Sequence, residues 1–181
     1  MFFYDIFSEQ ELAYISNDIE SQLALDGWSN RAHAHEMHQQ IVKSANFPYT
    51  QGDIYNKTIT GYIKDLIRFK LGKIDPTIRN YHFDASYQIY NIGSCVFLHN
   101  DSMDLFNATF YFNKEWDVNS GGLYLYEDGT EYKVFVPKYN SCAFINQNTL
   151  VRHLVTPITI KAPDRRITIH CKGMPIFKLK Q

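Results

Sequence analysis

The chain has 181 residues, 45% apolar and 15% aromatic, with a formal net charge of −1. This composition indicates a folded protein rather than a disordered one, and the length suits a single domain that spans residues 1–181. The balanced charge and the lack of a basic stripe argue against nucleic-acid and anionic-membrane partners. No apolar run approaches the roughly 20 residues of a membrane-spanning helix.

The N-terminal stretch MFFYDIFSEQ lacks the basic region and the cleavage site of a secretory signal. The three cysteines, Cys95, Cys142 and Cys171, are odd in number and widely spaced, and the sequence contains no CxxC pair. Neither a zinc knuckle nor a disulfide framework is therefore indicated. We expect a reduced, cytoplasmic protein.

Two helices are predicted in the N-terminal part. Ser8 and Glu11 form a capping box, and Asp26-Gly27 ends the first helix. Its apolar residues recur at helical spacing: Leu12, Ile15, Ile19 and Leu23. Residues 28–52 are polar and irregular. A second helix is predicted from about Asp53 to Leu71, with Gly72 as its C-terminal cap. Its apolar face comprises Ile59, Ile63, Leu66 and Ile67.

After Pro76 the apolar period changes from that of a helix to that of a strand. Residues 81–90 alternate and predict a half-buried strand. Shorter strand candidates with turn-rich joints follow at 95–100, 105–113, 122–127, 131–136, 141–146, 152–156 and 165–172. Two helices followed by about eight short strands predict an α+β domain. Its β part is expected to be a double-sheet jelly roll rather than a helix-covered parallel sheet.

The stretch RAHAHEMHQQ is the richest in histidine. No single regular structure would align His33, His35 and His38, and the HExxH zinc-protease pattern is absent. We interpret the segment as a solvated loop or as a lid that closes over the substrate, rather than as a metal site.

A His-x-Asp pair is a better candidate, because residues i and i+2 of a strand point the same way. The sequence contains two such pairs, His82–Asp84 and His99–Asp101. The second ends a short apolar strand and is followed downstream by the isolated His153. We interpret the first as polar residues near a sheet rim.

Four stretches carry a family resemblance when they are taken in order: YNIGSCVFLHND (90–101), ATFYFNKEWDVNSGG (108–122), HLVTP (153–157) and RRIT (165–168). Together they resemble the iron(II)- and 2-oxoglutarate-dependent dioxygenases, within which the prolyl 4-hydroxylase-like branch is the most similar. The opening FYDIFSEQEL also resembles the start of that branch's helix. The resemblance implies a double-stranded β-helix core with N-terminal helices packed on one sheet.

The resemblance also implies residue roles. It makes His99, Asp101 and His153 the iron ligands, and it makes Arg166 the partner of the distal carboxylate of 2-oxoglutarate. Further residues are expected to line the cosubstrate pocket: Tyr90, Tyr111 and Thr168, with His170 and Gln88 as additional candidates.

The arginine assignment has an alternative. The stretch IKAPD lengthens the connection between His153 and the last strand, so Arg165 and Arg166 are both candidates. We prefer Arg166, because it shares strand parity with Thr168, which matches the small residue that usually follows the arginine by two positions.

Two histidines and a carboxylate leave three positions open on an octahedral ion, which suits a chelating 2-oxo acid and dioxygen. The resemblance implies Fe(II), 2-oxoglutarate and dioxygen, with ascorbate as reductant, and hydroxylation of a prolyl residue in a peptide or protein. Three alternatives stay open: a hydroxylase of a free amino acid or other small molecule, a non-catalytic jelly-roll binding module, and a zinc hydrolase with the same ligands.

Overall fold

The computed structural model describes residues 1–30, 54–100, 105–146 and 151–174. In these ranges the helices are α1 (Glu9–Leu23) and α2 (Gly61–Ile74). The strands are β1 (Phe2–Tyr4), β2 (Ser29–Asn30), β3 (Ile54–Thr58), β4 (His82–Tyr90), β5 (Val96–His99), β6 (Phe106–Tyr111), β7 (Tyr124–Asp128), β8 (Glu131–Phe135), β9 (Ser141–Asn146), β10 (His153–Val155) and β11 (Arg166–Met174).

The strands form two antiparallel sheets. The larger has the order β1-β9-β6-β11-β4-β3-β2, and the smaller has the order β5-β10-β7-β8. From β4 onward the chain passes back and forth between the two sheets, as a double-stranded β-helix requires. The predicted fold class is therefore confirmed, and each strand predicted from residue 81 onward is present.

Both helices pack on the outer face of the larger sheet. The predicted capping box opens α1: the Ser8 hydroxyl accepts a bond from the Glu11 amide at 3.3 Å, and the Glu11 carboxylate accepts one from the Ser8 amide at 2.7 Å. Apolar residues of α1 and α2, among them Ile15 and Ile67, share one core with strand residues such as Ile169. Neither of the described helices is long and apolar enough to span a membrane.

The predicted start and end of the second helix were wrong. Residues 54–58 form strand β3, which pairs with β4, and the helix begins only at Gly61. Gly72 lies inside the helix and is buried, and α2 continues to Ile74. The helix does not continue into Asp75, because the residue before a proline disfavours helical backbone, and the Asp75 side chain caps the following 3-10 turn.

Strand β11 lies in the middle of the larger sheet, between β4 and β6. Its residues Ile169 and Cys171 face the helices. The alternate residues Arg166 and Thr168 therefore face the smaller sheet, and both are buried. Strand β4 was predicted to be half-buried, but its last four residues are all buried, because the smaller sheet covers the inner face there.

Candidate metal and cosubstrate site

Two of the three predicted metal ligands meet in the smaller sheet. His99 ends β5 and His153 begins β10, and the two are register partners. Their ring centroids lie 4.3 Å apart, and His153 is only 5% exposed. The described residues contain no third His, Cys, Asp or Glu that completes a metal-binding group. Asp101, the predicted third ligand, and the cluster of His33, His35 and His38 lie outside the described residues.

Both imidazoles direct Nδ1 toward a backbone carbonyl oxygen. The Nδ1 of His99 lies 2.7 Å from the Phe97 carbonyl oxygen, and the Nδ1 of His153 lies 3.4 Å from that of Val151. A carbonyl oxygen can only accept a hydrogen bond, so the proton of each neutral ring belongs on Nδ1. The lone pair then belongs to Nε2, which is the atom that could bind a metal ion.

Arg166 is the most deeply buried charge in the described part of the chain, with 1% exposure. Its Nη1 donates to the Gly122 carbonyl at 2.9 Å, and its guanidinium carbon lies 4.8 Å from the ring centroid of Tyr90 and 4.9 Å from that of Tyr111. No described carboxylate pairs with this guanidinium. Arg165, the alternative candidate, is exposed. Arg166 is therefore the arginine that faces the interior, as its strand parity predicted.

Unpaired hydrogen-bonding atoms surround this arginine. Strand register aligns Asn56, Gln88, Thr168 and Tyr111 in one row across the larger sheet. Within the described residues, four buried side-chain atoms have no hydrogen-bond partner: Arg166 Nε, Tyr111 Oη, Thr168 Oγ1 and Asn56 Oδ1. The first three can donate, and each unpaired buried group carries a desolvation cost. A carboxylate, which only accepts, matches these donors.

The protonation of Tyr111 suits this arrangement. Burial raises the pKa of its phenol, although the nearby charge of Arg166 partly opposes the shift. The phenol therefore keeps its proton at neutral pH and can donate to an anion.

The remaining predicted pocket residues lie on the same inner face. The Tyr90 hydroxyl donates to the Gln88 side-chain oxygen at 2.8 Å, and Gln88 is 2% exposed. His170 follows Thr168 at the same parity, is half-buried, and places its Nδ1 3.4 Å from the Thr109 hydroxyl. It therefore lies one row further from Arg166.

A glycine pair completes the surroundings of Arg166. Both residues have left-handed backbones, with φ of +72° at Gly121 and +60° at Gly122. A Cβ on Gly122 would lie 2.6 Å from Ile158 Cδ1 and 3.2 Å from Arg166 Nη1. Trp116 donates from its indole nitrogen to the Gly121 carbonyl at 3.0 Å.

The other His-x-Asp pair has no such surroundings. His82 Nε2 lies 3.3 Å from Asp84 Oδ1, and the side chains are 58% and 44% exposed. The two residues begin β4 at the rim of the larger sheet, as interpreted from the sequence.

Sequence reasoning missed two residues of the site. Asn56 was assigned to a helix, and only its pairing with Gln88 reveals that it faces the interior. Tyr124 stacks on the His153 ring, with centroids 5.2 Å apart and 20° between the planes. Its signal was its place two residues after Gly122 in a strand that alternates YLYED.

Comparison with known proteins gives likenesses in structure. No family model and no curated protein matches the sequence. A 2OG-Fe(II) oxygenase family protein from Burkholderia pseudomallei superposes with a TM-score of 0.64 at 15% identity, over 94% of this chain and 82% of that one. A prolyl hydroxylase from Trichoplax adhaerens, in complex with a hypoxia inducible factor peptide fragment, gives 0.56 at 14% identity, over 94% and 95%.

The epimerase SnoN from nogalamycin biosynthesis, in complex with Fe3+, alpha ketoglutarate and nogalamycin RO, gives a TM-score of 0.63 at 9% identity, over 97% of this chain and 78% of that one. At these identities the likeness concerns the fold. The chain therefore has the jelly-roll fold of the 2-oxoglutarate- and iron(II)-dependent oxygenases.

Proposed function

We propose that this protein is an Fe(II)- and 2-oxoglutarate-dependent dioxygenase that hydroxylates a C–H bond. The observation that carries the proposal is Arg166, a buried cation with no described acidic partner and with unpaired donors beside it. A chain of contacts links it to the paired histidines: Arg166 lies over Tyr111, Tyr111 shares an apolar cluster with Tyr124, and Tyr124 stacks on His153.

In this proposal Arg166 binds the distal carboxylate of the oxo acid. Its Nε, together with the hydroxyls of Tyr111 and Thr168, donates to the carboxylate oxygens. Charge-assisted hydrogen bonds of this kind are the stronger ones, and a guanidinium offers its donors in a fixed planar array. The carboxylate in turn neutralises a charge that is costly to bury alone.

His99 and His153 would hold the metal through Nε2, and Asp101 would supply the third ligand. When bound, iron(II) supplies the redox chemistry that couples oxidative decarboxylation of 2-oxoglutarate to substrate hydroxylation, with ascorbate as reductant. The residues of the chain orient the oxo acid and exclude water from the buried arginine. They donate hydrogen bonds to its carboxylate without transferring a proton.

For the substrate we propose a prolyl residue in a peptide or protein. The order of the motifs supports this choice, and so does the likeness to a prolyl hydroxylase that is in complex with a peptide. The second candidate is a free amino acid or another small molecule, which the likeness to SnoN with its bound nogalamycin RO favours. We propose a cytoplasmic location, because the three cysteines are odd in number and widely spaced and the sequence contains no CxxC pair.

The test is succinate formation in the presence of iron(II), ascorbate, dioxygen and 2-oxoglutarate. Proline-containing peptides and free amino acids are compared as stimulants. Stimulation by peptides supports the first substrate class, and stimulation by small molecules alone supports the second. Metal binding without any turnover would indicate a non-catalytic binding module, and metal-dependent hydrolysis without an oxo acid would indicate a hydrolase.

The neighbouring arginines provide a matched pair of variants. Arg166→Ala should raise the 2-oxoglutarate requirement about 30-fold or more, because removal of one partner of a buried charge pair costs about 2–5 kcal/mol. Arg165→Ala removes the same group from an exposed position and should leave the requirement unchanged. Equal cosubstrate affinity in the two variants would contradict the role of Arg166.

A further inference from the structure

Tyr124 makes the closest parallel ring contact described for either histidine of the site. Its ring and the His153 imidazole lie 5.2 Å apart with only 20° between their planes. The His99 ring packs against His153 at 4.3 Å but is tilted by 57°. Because Tyr124 is 6% exposed and His153 is 5% exposed, the stack is shielded from water.

The backbone contact of His153 is the weaker of the two that orient the histidines. Its Nδ1 lies 3.4 Å from a carbonyl oxygen, whereas the corresponding distance for His99 is 2.7 Å. A hydrogen bond at 3.4 Å restrains the rotation of a ring poorly. Among the described ring contacts of His153, the Tyr124 stack is the one with nearly parallel planes.

Tyr124 is itself firmly held. It pairs in register with Val155 on one side and Phe135 on the other, and it belongs to the apolar cluster between the two sheets, which also contains Tyr111 and Ala143. A buried ring in a close-packed cluster has little freedom to move with its neighbour.

We propose that Tyr124 is a positioning residue for the metal ligand His153, an inference that rests on the proposed metal site. The stacked phenol ring holds the imidazole in one plane while Nε2 binds the ion. An imidazole that binds a cation becomes more positive, and the electron-rich face of the tyrosine ring stabilises it further. Phenylalanine would keep the aromatic face, whereas leucine would fill the space without it.

Cobalt(II) binding to metal-free protein tests this role without any turnover. Titrations followed by the visible absorption of the bound ion give both the affinity and the coordination spectrum. Tyr124→Leu should bind Co(II) about tenfold more weakly, with an altered spectrum, because loss of a group that orients a metal ligand typically costs about 10–100-fold in metal affinity. Tyr124→Phe should stay within about twofold of wild type, since a flat ring still covers the imidazole.

Phe135→Leu is the matched control. Phe135 belongs to the same cluster and contacts the rings of Phe2 and Tyr111, with no described contact to His153. This variant should lower stability to urea while leaving the Co(II) affinity and spectrum unchanged. If Tyr124→Leu does not fold, Tyr124→Met provides the same comparison.

Wild-type affinity and spectrum in Tyr124→Leu would overturn the inference, and so would an equal loss of affinity in Phe135→Leu. The wild-type protein should bind Co(II), and His153→Ala should abolish this binding. If the wild-type protein does not bind Co(II), or if His153→Ala still binds it, the proposed metal site itself is overturned. If both results are as expected and only the Tyr124 variants deviate, the role of Tyr124 alone is overturned.

Discussion

Gly122→Ala is the smallest change that should disable the arginine pocket. Gly122 has φ of +60°, and its carbonyl oxygen accepts the hydrogen bond from Arg166 Nη1 at 2.9 Å. The new Cβ would lie 2.6 Å from Ile158 Cδ1, 3.1 Å from Arg166 Cδ and 3.2 Å from Arg166 Nη1. The methyl group would therefore overlap the end of the Ile158 side chain and press on the arginine side chain.

The cost has two parts. A non-glycine residue in left-handed backbone costs about 1–2 kcal/mol, and insertion of a methyl group into packed surroundings costs about 1–3 kcal/mol. We therefore expect the free energy of unfolding to fall by about 2–5 kcal/mol. If the arginine moves away instead, its bond to Gly122 is lost, and the affinity for 2-oxoglutarate should fall at least tenfold, since a hydrogen bond to a charged group contributes about 1.5–3 kcal/mol.

Gly129→Ala separates the backbone effect from the pocket effect. Gly129 also has a left-handed backbone, with φ of +68°, but no atom lies within 4 Å of the position of its Cβ. Gly129→Ala should lower the free energy of unfolding by only the backbone cost of about 1–2 kcal/mol. The affinity for 2-oxoglutarate should be unchanged. Urea denaturation and calorimetric titration of 2-oxoglutarate with Mn(II) present measure both quantities. If the two variants behave alike, Gly122 does not position Arg166.

Three further changes have defined outcomes. Tyr111→Phe removes a buried hydroxyl that lacks a described partner. Urea denaturation without cosubstrate should therefore show equal or higher stability than wild type. Calorimetry should show about tenfold weaker binding of 2-oxoglutarate. Burial raises the pKa of Cys95 to about 11, whereas the thiol of the unfolded chain ionises near pH 8.5. The contribution of the buried thiol to the free energy of unfolding is therefore complete below about pH 8.5 and is lost as pH rises toward 11. Urea denaturation at a series of pH values across this range would detect the loss. Asn140→Ala removes two 2.9 Å hydrogen bonds to the backbone of Phe7 and should lower the unfolding free energy by about 2–4 kcal/mol in the same assay.

Local signals in the sequence were sufficient to predict much of the secondary structure and which of the two arginines faces the interior. The capping box at Ser8 depends on neighbouring residues, and the structure contains it as predicted. Strand parity chose Arg166 over Arg165, because alternation along a strand is also a local property. The pairing of His99 with His153 needed more than local signals, and it was anticipated only through the order of motifs along the whole chain.

What the sequence did not reveal depends on contacts between distant segments. Residues 54–58 form a strand because β4 offers them an edge to pair with, whereas the apolar spacing from Ile59 onward suggested that a helix began earlier. Gly72 seemed a helix end, but it lies within α2 at a buried position, where a Cβ would come 3.5 Å from the Arg79 side chain. Asn56 and Tyr124 acquire their places from strand register and packing, which no local pattern encodes.

The two faces of strand β11 lie in different surroundings. Ile169 and Cys171 pack in the apolar core beneath the helices, whereas Arg166 and Thr168 face the interior between the two sheets. A slip of one residue during folding would exchange the two sets, sending the guanidinium under the helices and an isoleucine into the pocket. Such a mispaired molecule would lose the buried guanidinium of its interior and its apolar anchor together. If Arg166 binds 2-oxoglutarate as proposed, the amount of 2-oxoglutarate bound per milligram should therefore measure the correctly folded fraction of a preparation.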